Sequence, residues 1–282
     1  MAASGPDSAL AELAQAGSAR LLFPRRAAPG ALEAVVVNVG GGLADGDRFG
    51  IEARASDGAR LALTTQACEK AYRARAEAGG VAPARASVRL EARAGAALHW
   101  LPQETILFDG ARLRRRLDVA LDATARLVAV EAVLLGRPAR GEAWREGRLE
   151  DSWRVRREGR LVFAEALSLE PEDVPRVTAL RGAGAFATLL LAAPDAESRL
   201  GALRAALGVA SAPLIPSDDP PPDNPAPDDA PPPVEGVDAG ASAFDGLLLA
   251  RLAARDGLSL RRALLRALPV LTDAPPPRAW AL

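Results

Sequence analysis

Apolar residues recur at alternate positions over much of this chain, which is the period of a half-buried β-strand. The densest case runs from Leu98 to Leu121. Leu98 and Trp100, then Ile106 and Phe108, precede an Asp109-Gly110 turn, and Leu113, Leu117, Val119 and Leu121 come after it. The pattern predicts strand, turn, strand. On the second strand Arg112, Arg114 and Arg116 point to one face, with Leu113, Arg115 and Leu117 on the other. Val35 to Val37 predict a short strand, Phe49 and Ile51 lie on another, and Val155 to Val162 predict a hairpin turning at Glu158-Gly159.

A loose internal repeat adds to this picture. A turn is followed by a phrase of the form small-Arg-Leu-x-apolar, starting at Gly58, Gly95, Gly110, Thr124 and Glu158, with the Arg replaced by Ala in the second copy. Units of this kind cannot bury an apolar face alone and must stack. The predicted fold class is therefore mainly β: stacked, twisted, solenoid-like sheets, mainly antiparallel, with a few helices in the C-terminal third. The uneven spacing of the repeats argues against a regular solenoid.

Helical spacing is weak over residues 1–33, through Leu10, Leu13 and Ala14, and clearer over 178–208, through Leu189, Leu190, Leu200, Leu203 and Leu207 up to Gly208. Phe244 to Ala254 reads as a strand or short helix. Leu258 to Leu271 reads as an amphipathic helix with Leu260, Leu264, Leu265 and Leu268 on one side. Between them, about 211–238, lie ten prolines and seven acidic residues without one base. Such a composition cannot offset its chain entropy by apolar burial, so this segment is expected to be a disordered insertion in one domain spanning 1–282.

Composition narrows the chemistry. Thirty-five basic residues stand against 36 acidic ones, for a formal charge of −1, so no global field draws the chain to nucleic acid or membrane. One cysteine, Cys68, excludes an internal disulfide framework, and no positively charged start followed by a long apolar run marks a signal peptide, so none is expected. No window approaches the roughly 18 apolar residues that a membrane span needs. The expected location is cytoplasmic.

Asn38 to Asp47 is a Gly-rich turn after a strand, the kind of place where bare amides cradle phosphate. It lacks the Gly-Lys-Ser/Thr ending, and the residues after it read as another strand. Cys68 lies near Lys70 and Tyr72, but the only histidine, His99, belongs to a different strand phrase, so Cys68 reads as a small hydrophobe rather than a nucleophile. The Arg112 to Arg116 cluster lacks the interleaved aromatics of a nucleic-acid patch and reads as a solvated or partner-binding face. One histidine and one cysteine also cannot supply a closed N/S site for a first-row metal.

Several phrases resemble the urease accessory proteins of the UreD type, also called UreH. They are NVGGGLADGDRF (Asn38 to Phe49), LTTQACEKAYRA (Leu63 to Ala74), HWLPQETILFDGARL (His99 to Leu113), LGRPARGE (Leu135 to Glu142), DSWRVRREGRLVFAE (Asp151 to Glu165), Phe244 to Leu252, and Pro277 to Trp280. The third and fifth are the specific ones. The resemblance implies a β-rich scaffold without catalysis of its own. It would bind the urease apoprotein and UreF-type and UreG-type accessory proteins, the latter a GTPase. It also implies no tightly bound cofactor, with nickel in transit through an internal channel. Two other classes compete: a β-rich hydrolase using a carboxylate pair, and an RNA-binding protein using the Arg cluster.

Within the repeats Leu127, Ala129 and Glu131 share one strand face, as do Leu161, Phe163 and Glu165. Each glutamate then falls on the apolar side, where a lone carboxylate costs several kcal/mol unless it is paired, wet or bound to a cation. Pairing with arginine is one resolution. A hydrated path along which a divalent ion hops between oxygen ligands is the other. The resemblance adds Asp47 of the Gly-rich turn to Glu131 and Glu165 as metal-path candidates.

Overall fold

The computed structural model of the protein describes residues 1–4, 8–24, 30–75, 82–176, 178–209 and 233–280. Strands come first: β1 (Ala2–Ser4), β2 (Ala9–Glu12), β3 (Ala19–Leu22), β4 (Leu32–Asn38), β5 (Arg48–Ala55) and β6 (Arg60–Thr65). They continue through β7 (Glu69–Ala71), β8 (Ala84–Ala92), β9 (Ala97–Leu101), β10 (Thr105–Leu107), β11 (Arg112–Leu121) and β12 (Arg126–Leu135). After β13 (Arg148–Arg157), β14 (Arg160–Leu169) and β15 (Ala185–Ala192) comes the short helix α1 (Leu200–Leu207). β16 (Val237–Phe244), β17 (Leu247–Ala254) and α2 (Gly257–Thr272) come last. The fold is mainly β, as the alternation predicts.

The long strands fall into two sheets. One runs β14-β13-β11-β8-β5-β1-β2, and the other runs β16-β17-β15-β12-β9-β6-β4-β3. From β4 to β13 the chain alternates between them, apart from the short β7 and β10. Each return lays a strand parallel to its predecessor, so β5, β8, β11 and β13 are parallel neighbours, as are β4, β6, β9 and β12. This corrects the expected mainly antiparallel pairing. A turn-plus-strand repeat fixes which residues face inward but not the direction of return, and here the chain coils rather than folding back. Antiparallel pairing appears only toward the ends, as in β13/β14 and β15/β17.

Inward residues stack coil upon coil. Ala53, Leu90, Val119 and Val155 are in register on one sheet, facing Leu61, Leu98 and Leu127 on the other. β7 and β10 form a side ladder in which Leu43, Ala71, Leu107 and Leu135 line up in turn. That ladder is made from four of the family-like phrases.

β12 is buried on both faces, because its second face and those of β15 and β17 are covered by α1 and α2. α2 begins at Asp256, whose carboxylate accepts from the Ser259 amide at 2.8 Å, and buries Leu260, Leu264, Leu268 and Leu271. α1 ends at Gly208 in the left-handed conformation, as its sequence predicts.

Three other expectations change. Residues 185–192 form a strand, not part of a helix, because β15 is sandwiched between the inter-sheet core and the helices. Leu189, Leu190 and Leu191 are all buried, which erases the two-residue period. The weak helical spacing near the start gives way to β1, β2 and β3, whereas for Phe244 to Ala254, read as a strand or short helix, the strand holds over Leu247–Ala254. Of the expected disordered insertion, 211–232 lies outside the described residues, but Val234 is buried and Val237 opens β16.

Candidate functional site

Strand parity places Arg115 inside. Arg112, Arg114 and Arg116 are exposed and Leu113, Arg115 and Leu117 are buried, as the sequence predicts. On the adjacent strand Asp151 is the direct Cα partner of Arg115, and on the facing sheet Glu131 is the single charged residue of β12's apolar run. Arg115 Nε lies 2.8 Å from Glu131 Oε2, and its Nη2 donates to Asp151 Oδ2 at 2.5 Å. Nη1 donates to Thr105 Oγ1 at 3.4 Å, and the Trp100 indole donates to Glu131 Oε1 at 3.2 Å. The Asp151 Oδ1 atom, also buried, has no hydrogen-bond partner among the described residues.

One guanidinium therefore serves two carboxylates between the sheets. Burial is the largest influence on Glu131 and pushes its carboxyl up to about 7, with Asp151 adding to the rise and Arg115 opposing it. Burial also opposes the charge of Arg115, but Asp151 and Glu131 more than offset it and hold the guanidinium above its ordinary value. Breaking such an arrangement costs more than making it gains, since the remaining partner is left buried and unpaired.

Beside this triad is a small cavity, about 10 Å³ measured as room for water centres, close to what one water needs. Glu165 of β14 also lines it, together with Trp153 and Thr188. Glu165 is 21% exposed and Arg251 Nη2 lies 2.9 Å from it, so it forms the rim rather than the interior. The structure thus brings Glu131 and Glu165 to one cavity and adds Asp151 and Arg115. Asp47 is elsewhere, in an exposed turn where its Oδ2 accepts from the Ala44 amide at 2.8 Å. Asp151 was legible as an inward residue of the DSWRVRREGRLVFAE phrase, since Leu149, Trp153 and Val155 share its parity. Among the described residues, no three Asp, Glu, His or Cys side chains converge as a metal-holding group.

A second polar centre has no local signal in the sequence. Glu104 and Gln103, in the loop after β9, meet Arg261 of α2: Arg261 Nε donates to Glu104 Oε1 at 3.0 Å and Nη2 to Gln103 Oε1 at 2.9 Å. Gln103 Nε2 donates to the Ala279 carbonyl at 2.9 Å, and the Trp280 indole donates to the Leu101 carbonyl at 2.9 Å. Trp280 is fully buried under the Arg261 guanidinium. Trp280 and α2 are thus tied to the end of β9 and form part of the core. Cys68 Sγ contacts Glu104 at 3.4 Å, and burial, with Glu104, pushes the thiol up to about 11, the opposite of an activated nucleophile.

The Gly-rich turn is closed by its own neighbours. The Tyr72 hydroxyl donates to the Gly41 carbonyl at 2.8 Å, and Gly42 sits against the Tyr72 ring at φ +151°, where a Cβ would collide. The amides of Gly40, Gly41 and Leu43 are spent on Asn38 and Lys70, so no anion cradle forms there.

Whole-chain comparison decides the family. A model of the UreD urease accessory proteins matches residues 1–281. The chain belongs to the UreD family. UreD proteins of Xanthobacter autotrophicus, a Methylobacterium species and Rhizobium leguminosarum are 45%, 44% and 45% identical to it over 282, 280 and 278 residues. Those alignments cover 99%, 98% and 97% of this chain and 86%, 90% and 89% of the three relatives. Each of the three is a urease accessory protein by name, so this chain is a UreD-type accessory protein with a role in urease maturation. No helix among the described residues is long and apolar enough to cross a membrane.

Proposed function

We propose that this protein is a non-enzymatic cytoplasmic scaffold for nickel urease. In this reading it binds the urease apoprotein together with UreF-type and UreG-type accessory proteins, the latter supplying GTP hydrolysis, and passes nickel through the gap between its two sheets. The observation that carries the role is family membership over residues 1–281. Supporting the nickel path is a row of buried oxygen donors, Glu131 and Asp151 inside and Glu165 at the rim, beside a water-sized cavity.

Arg115 makes that row suitable for transit rather than storage. A divalent ion favours several carboxylate oxygens at once. With the guanidinium already between Glu131 and Asp151, an arriving ion meets one buried carboxylate oxygen that has neither a hydrogen bond nor an ion-pair contact, Asp151 Oδ1, and one rim carboxylate. It is attracted but not caged. The same contacts weaken the hydrolase alternative, because a carboxylate pair bridged by arginine in so small a cavity leaves no room for a sugar or peptide.

The test is nickel per urease active site after co-expression with the urease gene products, alongside pull-down of those partners. Glu131→Gln and Glu165→Gln are expected to lower nickel several-fold with assembly intact. Asp47→Asn, expected from the resemblance to act on the same path, is a separate arm. Full loading in both glutamate variants would overturn the path, and loss of assembly along with nickel would assign these residues to the scaffold instead.

A further inference from the structure

We propose that the outer face of the seven-stranded sheet is a docking platform for a flat, carboxylate-rich surface of another protein. The face is built by β5, β8, β11 and β13, whose parallel register sets outward residues in rows. Arg48, Arg85 and Arg114 are direct partners across three strands, and Arg112 faces Arg148 across two. Like charges placed opposite one another on a sheet destabilise it. The signs do alternate in the row Glu52, Arg89, Asp118 and Arg154, but at the end of the face where β5, β8, β11 and β13 begin the rows set arginine against arginine.

Internal pairing does not absorb the charge. Four carboxylates lie on the same face, and each is taken: Glu52 by Arg89, Glu91 by Arg54, Asp118 by Arg116 and Glu150 by Arg114. Arg48, Arg85, Arg112, Arg154 and Arg156 remain, all exposed and without a carboxylate partner among the described residues. Through the middle run Gly50, Ser87, Arg116 and Ser152, a row whose mostly small side chains leave the surface low between the guanidinium rows.

Charge complementarity selects the occupant. The guanidinium fork matches carboxylates in paired hydrogen bonds. A second copy of the same face would be repelled. A single-stranded nucleic acid would want aromatic side chains to stack on, and the outward positions of these four strands carry none, while the interleaved carboxylates would face its phosphates. An acidic protein surface satisfies the five leftover arginines at once and gains long-range steering. Identifying that protein as the urease apoprotein rests on the accessory role proposed above.

The experiment titrates full-length protein with a fluorescent polyglutamate peptide, with poly(U) and with urease apoprotein, at several salt concentrations. The triple variant Arg48→Ser, Arg85→Ser, Arg112→Ser is compared with a control that removes the same charge elsewhere, Arg140→Ser, Arg181→Ser, Arg262→Ser. Polyglutamate and apoprotein binding are expected to weaken at least tenfold in the first triple and little in the control, with Tm equal or higher because row repulsion is relieved. Equal weakening in both triples, or none in either, overturns the platform. Tighter binding of poly(U) than of polyglutamate through this face overturns the choice of a protein partner. Platform-dependent binding of polyglutamate without binding of the apoprotein upholds the platform and counts against the urease role.

Discussion

Arg115 and Glu131 set the terms at the scale of single residues. Glu131 is a carboxyl whose folded pKa, about 7, lies above its ordinary 4.5, chiefly through burial. Between those values the folded state holds more protons than the unfolded state, so this group's contribution to stability falls as pH rises from about 4.5 to about 7. Glu131→Gln keeps the shape, removes the titration and should flatten that part of the profile. Urea denaturation at pH 5, 6 and 7 measures it. A slope that is the same in wild type and variant would mean that Glu131 stays ionised throughout. The charged groups that face it, Arg115 and Asp151, remain in the variant.

At the scale of elements, the strap from α2 to Trp280 does what a core segment does. Trp280→Ala removes a fully buried indole, its bond to the Leu101 carbonyl and the ring beneath Arg261. A loss of about 3–5 kcal/mol is expected, read as a drop in urea midpoint. An unchanged midpoint would mean that the segment after α2 is not part of the core. How far elements were legible in the sequence depends on their surroundings. β11 has solvent on one side and core on the other, so its alternation told where Arg115 points. β15 has protein on both sides, so its run of leucines matched a helical spacing as well as a strand. Glu131 and Glu165 were found by counting along their own strands. That Arg115 and Asp151 meet was not legible, because their contact joins strands of successive coils and depends on a register that no local pattern encodes.

Across the whole molecule, the insertion and the coil behave as separate matters. A Cβ placed on Gly208 would lie 2.6 Å from Pro233 Cα, so the described residues on either side of 210–232 meet at nearly one point. Removing residues 213–231 should therefore leave Tm within about 2 °C of wild type, since loop length enters stability only logarithmically. Extending the cut through Val234, which is buried, should lower it clearly, and thermal melts of the two deletions distinguish these outcomes. The same view shows why the Gly-rich turn, the Cys68 phrase, the WLPQE phrase and the LGRPARGE phrase read as one signature although they are scattered in sequence. They are successive rungs of the side ladder through Leu43, Ala71, Leu107 and Leu135.

The contact between Gln103 and Ala279 spans 176 positions of chain, and that between Leu101 and Trp280 spans 179. On the ribosome the loop after β9 emerges when its earlier partners, Thr65, Gln66 and Cys68, are already made, but well before Arg261, Ala279 and Trp280. At about 5–20 residues per second the wait lasts on the order of ten to forty seconds. The middle coils from β11 to β13 are made during that interval, and the seal arrives only once residue 280 has been made. Completion of this fold is thus timed by the progress of synthesis.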